Sequence, residues 1–117
     1  MKRQFRLTRS TEFKRVRRLG RSHAHPLVVL VALKAQDANR VRIGVVAGRS
    51  VGGAVQRNKA KRRLRACLHE ILPSIQPGWD LIFLARRPIS EANYWQIRSA
   101  VHQVTQRAGL LTSRSNG

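Results

Sequence analysis

Apolar positions change their spacing several times along the chain, and each change predicts a new element. Phe13, Val16 and Leu19 recur at helical spacing. Ser10 or Thr11 is placed to cap that helix, Glu12 suits its first turn, and Gly20 ends it. Lys14, Arg15, Arg17 and Arg18 fill the remaining arc, so one narrow apolar stripe runs along a cationic helix. Residues 26–33 are rich in β-branched side chains and predict a strand. A polar turn over 36–39 leads to a second strand over 40–47, the expected hairpin partner of the first. A short extra strand is expected around 22–24.

Residues 48–53, GRSVGG, form a glycine-bearing connection. A long helix is predicted over 54–72, with Ala60, Leu64, Cys67, Leu68 and Ile71 as its apolar face. Pro73 and the Pro77-Gly78 pair stop it. The run DLIFLA over 80–85 predicts a central strand covered on both faces. Ser90 is placed to cap a third helix, with Tyr94, Ile97, Val101, Val104 and Ala108 on one side and Gly109 at its end. Residues 1–9 read as a basic extended arm and 112–117 as a disordered tail. Nothing between them marks a linker, so 1–111 reads as one domain. The order α-β-β-β-α-β-α predicts an α+β fold, an α/β sandwich of three helices on a small, mostly antiparallel sheet of about four strands. Pattern rules alone would make its strand–helix–strand connection right-handed.

Charge narrows the function. The chain carries 24 Lys and Arg against 5 Asp and Glu, a net charge of +19. That exceeds what solubility needs and costs stability through self-repulsion, so a polyanionic partner is expected, nucleic acid first and an anionic membrane surface second. The five acids (Glu12, Asp37, Glu70, Asp80, Glu91) are scattered. They argue against a carboxylate metal site and against a self-sufficient protein nuclease, which needs a general base or a metal cluster. The single Cys67 excludes an intrachain disulfide and a multi-cysteine zinc site. The first ten residues have charge but no apolar run behind it, unlike a secretory signal, and the longest apolar runs have strand length. A cytoplasmic protein with no membrane partner is expected.

The densest charge lies on the second helix. Arg57-Asn58-Lys59-Ala60-Lys61-Arg62-Arg63-Leu64-Arg65 holds six cations in nine residues. At helical spacing Asn58, Lys61, Arg62 and Arg65 fall opposite Leu64, Leu68 and Ile71, with Lys59 and Arg63 flanking. Only Glu70 is at hand to pair with them, and like charges this close repel. A solvated helix face therefore explains the run poorly. A surface for several phosphates explains it well, since each neutralised phosphate releases counterions and Arg adds forked contacts.

With these residues in view, the chain resembles the protein subunit of bacterial ribonuclease P. The family's RNR-type helix corresponds to Val55 through Arg65, with Lys59 in place of the usual second Arg. The match extends to Arg6-Leu7, Glu12-Phe13, Arg42-Ile43-Gly44-Val45, Gly52-Gly53-Ala54-Val55, and the Asp80 strand with its Arg86-Arg87 pair. The resemblance implies an RNA subunit that cleaves precursor tRNA with Mg²⁺, and a protein that is itself non-catalytic. It implies that Arg57, Asn58, Lys59, Lys61, Arg62, Arg63 and Arg65 bind that RNA. It places the 5′ leader of precursor tRNA in a cleft between the first helix and the sheet. Phe13 matches the family's cleft aromatic, while Arg17 and Val31 stand where relatives often carry further aromatics. It also implies a left-handed βαβ crossover, against the pattern rule.

A ribosomal protein or general RNA chaperone is the alternative that equal charge allows, though neither explains a sheet cleft facing one basic helix. Other residues carry less. His23 and His25 alternate on a strand but lack Cys or acidic neighbours for zinc. Cys67 is expected as inert packing, and Trp79 and Trp95 as residues that close the core. Arg49 and Phe5 are weaker RNA candidates. The glycines of 48–53 lack the spacing of either phosphate-binding fingerprint.

Overall fold

The long apolar strand takes the middle of the sheet, and that choice reorders the others. In a computed structural model describing residues 5–112, β1 (Arg21–Ala24), β2 (Val28–Lys34), β3 (Val41–Ala47) and β4 (Trp79–Ala85) lie in the order β1-β2-β4-β3. β4 pairs antiparallel with β2, Leu30 opposite Phe83, and parallel with β3, Ile43 opposite Leu81. β1 pairs antiparallel with β2 on the far edge. The hairpin expected between β2 and β3 does not form, because β4 is inserted between them. Its side chains are apolar on both faces, and the interior position satisfies both of its backbone edges. β1 and β3, with Arg21, Ser22 and Arg42, are left at the rims.

The helices are α1 (Ser10–Leu19), α2 (Ala54–Ile71) and α3 (Tyr94–Arg107), with short 3₁₀ turns at Arg49–Val51, Leu72–Ser74 and Arg87–Glu91. Strand alternation divides the apolar residues between two cores. Val28, Leu30, Ile43, Leu81 and Phe83 pack under α2 and α3, against Leu64, Leu68, Ile97 and Val101. The other face carries the smaller core of Leu7, Val16, Val31 and Ile82 under α1 alone. One short helix does not cover that face, and Val29, Val46 and Leu84 are left half-buried beside it. α2 connects the parallel neighbours β3 and β4.

Three local expectations need correction. α1 begins at Ser10 after Arg9, and no side chain caps it. Leu19, expected on the apolar stripe, is 59% exposed. Gly20 ends it by close approach: a Cβ there would lie 2.6 Å from the Val16 carbonyl oxygen and 2.8 Å from Val31 Cγ1. Asn93, not Ser90, caps α3; its side chain accepts from Gln96 N–H while Gln96 Oε1 accepts from Asn93 N–H. This reciprocal pair is the capping-box pattern, and it outcompetes a lone serine. Ser90 instead lies in the 3₁₀ turn and donates to the Arg87 carbonyl.

Part of the basic arm joins the fold. Leu7 N–H donates to the Ile43 carbonyl at 2.9 Å, Arg6 bridges Ile43 in parallel, and Leu7 is buried. Residues 1–4 of the arm and 113–117 of the expected tail lie outside the described residues.

Candidate nucleic-acid interface

Side-chain charge, not a cap, fastens α1 to the sheet. Arg42 on β3 donates from Nε and Nη2 to the two carboxylate oxygens of Asp80 on β4, each at 3.1 Å. Arg15 on α1 donates to Asp80 Oδ2 at 2.9 Å, and Arg42 Nη1 donates to Glu12 on α1. Asp80 is fully buried. Its hydrogen bond raises the pKa of Arg42, against the opposing effect of burial, and the bond to Glu12 adds to the rise. Three of the four members sit in exposed-looking sequence, and pattern alone makes Asp80 no more than the start of an apolar strand.

This network orients α1. Glu12 and Arg15 are drawn toward Arg42 and Asp80 at the start of β3 and β4. At helical spacing Phe13 and Arg17, one turn apart, fall on the other flank of the buried Val16 from Glu12 and Arg15, and Val29, Val46 and Leu84 lie half-buried against the same small core as Phe13. Phe13 is itself half-buried and lies over Gly44, whose missing side chain makes room for the ring: a Cβ there would overlap Phe13 Cε1 and Cζ. Gly44→Ala is therefore expected to push the ring off the sheet and to cost about 1–3 kcal/mol, the usual penalty of overpacking. A thermal melt reads the loss; an unchanged melt would mean that the ring moves freely. Val31 is not available beside Phe13. It is 3% exposed, buried beneath the end of α1 at Gly20, so the open apolar surface belongs to Val29, Val46 and Leu84.

On the opposite face of the sheet α2 turns its cations outward. Ala60, Leu64, Cys67 and Leu68 are buried, and Asn58, Lys59 and Arg62 are exposed. Lys61 and Arg65 are half-buried on the flank nearer the arm, and Lys59, expected on a flank, is exposed. Burial, and then Arg6 of the arm, lower the pKa of Arg65. Arg57 is half-buried at the start of the helix. Arg63 also has a structural part to play, since its Nη1 donates to the Ala92 carbonyl at 2.9 Å and ties the segment before α3 to α2. Among the described residues no carboxylate pairs with any of these α2 cations.

The remaining residues separate cleanly. Cys67 is buried, and burial pushes its thiol pKa up. His23 and His25 have lowered pKa values, chiefly from burial, with Arg21 and Arg107 opposing charge on the first and Arg107 on the second. His25 Nδ1 accepts from Leu27 N–H at 3.0 Å. Trp79 packs against the larger core, whereas Trp95 does not close it and is 69% exposed. Arg49 is exposed in its 3₁₀ turn, and Phe5 is half-buried.

Comparison with known proteins follows the same lines. A family model described as Ribonuclease P matches residues 1–109. The ribonuclease P protein component of Herpetosiphon aurantiacus is 43% identical over 114 residues, which is 97% of this chain and 92% of that protein. That of a Roseiflexus species is 40% identical over an alignment of 119 residues, covering 100% and 96%. The solved ribonuclease P protein of Staphylococcus aureus superposes with a TM-score of 0.84 at 26% identity, covering 92% of this chain and 98% of that one. The Thermotoga maritima protein gives 0.78 at 26% identity, covering 87% and 96%. The basic helix, the sheet order and these likenesses agree, and the chain belongs to the ribonuclease P protein family.

Proposed function

We propose that the outward face of α2 binds the catalytic RNA of ribonuclease P, and that the half-open face beside α1 receives the 5′ leader of precursor tRNA. Family membership makes the chain a protein component of the tRNA-processing ribonucleoprotein, with the RNA subunit as its partner, in preference to a ribosomal protein or a general chaperone. One observation carries the finer reading: two surfaces suited to RNA lie on opposite faces of one sheet. Arg57, Asn58, Lys59, Lys61, Arg62, Arg63 and Arg65 stand on one side, and Phe13 and Arg17 with the apolar strand ends on the other. A protein so built can touch two RNAs at once and screen the repulsion between them. An unpaired strand suits the cleft, since a base stacks on an aromatic ring without sequence demand while a cation meets its phosphate.

Mg²⁺ belongs in this reading to the RNA and the substrate. Among the described residues no group of three His, Cys, Asp or Glu gathers to hold a metal. Among the described residues no helix is long and apolar enough to cross a membrane; the cytoplasm, where tRNA precursors are made, is the proposed location.

The test uses the protein reconstituted with its RNA subunit. Arg17→Ala is expected to weaken binding of precursor tRNA several-fold and to leave mature tRNA unaffected, because only the precursor has a leader. The difference shrinks as salt rises, since Arg17 is exposed and its contact ionic. Equal losses for precursor and mature tRNA would place the leader elsewhere.

A further inference from the structure

A groove of about 570 Å³ lies where the ends of the strands meet the start of α3, and neither proposed RNA surface accounts for it. Leu27, Pro88 and Ala92 give it an apolar floor, and Trp95 stands at its side. An indole 69% exposed beside an apolar hollow is costly to leave in water. Trp95 is also held in place. Tyr94 packs edge-on against it with ring centroids 5.2 Å apart, Arg98 lies 5.9 Å from its centre, and the Tyr94 hydroxyl is anchored on Glu70. One face of a fixed ring is thus presented at the groove, which lowers the entropy cost of stacking on it.

The polar atoms around the groove are mainly spare donors. The acceptors of Asn93 and Gln96 are engaged in the capping box, so their NH₂ groups are left to point outward. His25 uses Nδ1 as an acceptor, and its neutral ring then carries its proton on Nε2. Glu91 supplies an acceptor of the kind that meets an amino or imino group. Cations surround the site: Arg86 donates to the His25 carbonyl, Arg98 covers Trp95, and Arg107 is close enough to bear on His25. An apolar slot with an aromatic wall, mixed donors and one acceptor inside, and guanidinium groups at the rim matches a nucleotide in each part.

The groove is also continuous with the basic helix. Pro88 and Glu91 line a second hollow with Ser50, Val51 and Gly52, and Ser90 lines a third with Gln56, Lys59 and Arg63. Arg63 binds the Ala92 carbonyl and so couples helix and groove directly. The trough runs along the α2 and α3 side of the sheet, away from the cleft beside α1.

The geometry points to this groove as a site for one unstacked nucleobase of the RNA subunit, seated against Trp95 and contiguous with the phosphate contacts of α2. The inference rests on the proposal that α2 binds that RNA, and the experiment separates the two. Binding of the RNA subunit alone is measured across a salt titration for the parent, Trp95→Ala, Trp95→Phe and Arg62→Ala. Trp95→Ala is expected to weaken binding tenfold or more with the salt slope unchanged, because stacking releases no counterions; Trp95→Phe recovers most of the loss. Arg62→Ala lowers both affinity and slope. In a Trp79→Phe background, RNA quenches the emission of Trp95. A melting temperature close to the parent's shows that Trp95→Ala remains folded, as exposure predicts. Parent-like RNA binding by Trp95→Ala, or a loss seen only with precursor tRNA, overturns the groove assignment. Indifference of Arg62→Ala, with Trp95→Ala impaired, overturns the helix assignment instead.

Discussion

Asp80→Ala is expected to lower folding stability by about 3 kcal/mol, the lower end of the range for breaking a buried ion pair. For a chain of this length that is a fall of about 10–20 °C in melting temperature. The substitution leaves the Arg42 guanidinium, which has two hydrogen bonds to Asp80, and that of Arg15, which has one, without their carboxylate. The lower end applies because the Arg15 and Arg42 side chains keep 35% and 17% exposure and recover some hydration. Adding Arg42→Ala to Asp80→Ala should cost less than the two single losses together, since the second removes a charge the first has orphaned. The functional effect follows from what the network holds. With α1 loosened, the cleft beside it should lose precursor affinity while the RNA-subunit surface on the opposite face is largely spared. Chemical denaturation and the two binding assays check both parts. A stability change under about 1 kcal/mol would mean that apolar packing alone holds α1.

The largest binding effect is expected on α2. Replacing Arg62 and Arg65 together with Ala should weaken assembly with the RNA subunit about a hundredfold at low salt, about tenfold for each charge-assisted contact. The slope of affinity against salt should fall by about one unit for each lost phosphate contact. Stability should be unchanged or slightly higher, because removal of Arg65 relieves its repulsion with Arg6. Arg63→Ala should behave differently, costing stability as well as affinity, since it frees the Ala92 carbonyl. Parent-like affinity and slope in the double variant would show that the RNA lies on another surface.

Periodicity is enough to make α2 legible. Its buried positions Ala60, Leu64, Cys67 and Leu68 repeat at helical spacing, and the cations lie between them. β4 is legible for a similar reason, because the run over 81–85, apolar at every position, has no face to give to water. The excess of 24 cations over 5 acids points to a polyanionic partner, nucleic acid first, whatever the fold.

Local chemistry misleads where local signals compete. Ser90 is a good cap in isolation, but Asn93 with Gln96 satisfies two backbone groups reciprocally and therefore starts α3 three residues later. Val31 occupies a strand position facing α1, and its burial depends on how closely Gly20 approaches it, which no spacing encodes. Trp95 has the composition of a core residue, yet Ile97, Ala100, Val101 and Val104 fill the inward face of α3 and leave the indole outside.

The helices and strands, the two-sided burial of β4 and the cationic surface of α2 depend on residues within a few positions of one another, and the bare chain therefore specifies them legibly. The neighbour relations of the strands do not. Folding places Arg42 beside Asp80 across 38 positions and Arg15 beside Asp80 across 65. It also rests Phe13 on Gly44 and sets Trp95 at the border of a groove continuous with α2. Long-range pairing depends on packing and charge neutralisation between segments that no local period relates, and that is why the helix can be read from the chain and the cleft cannot.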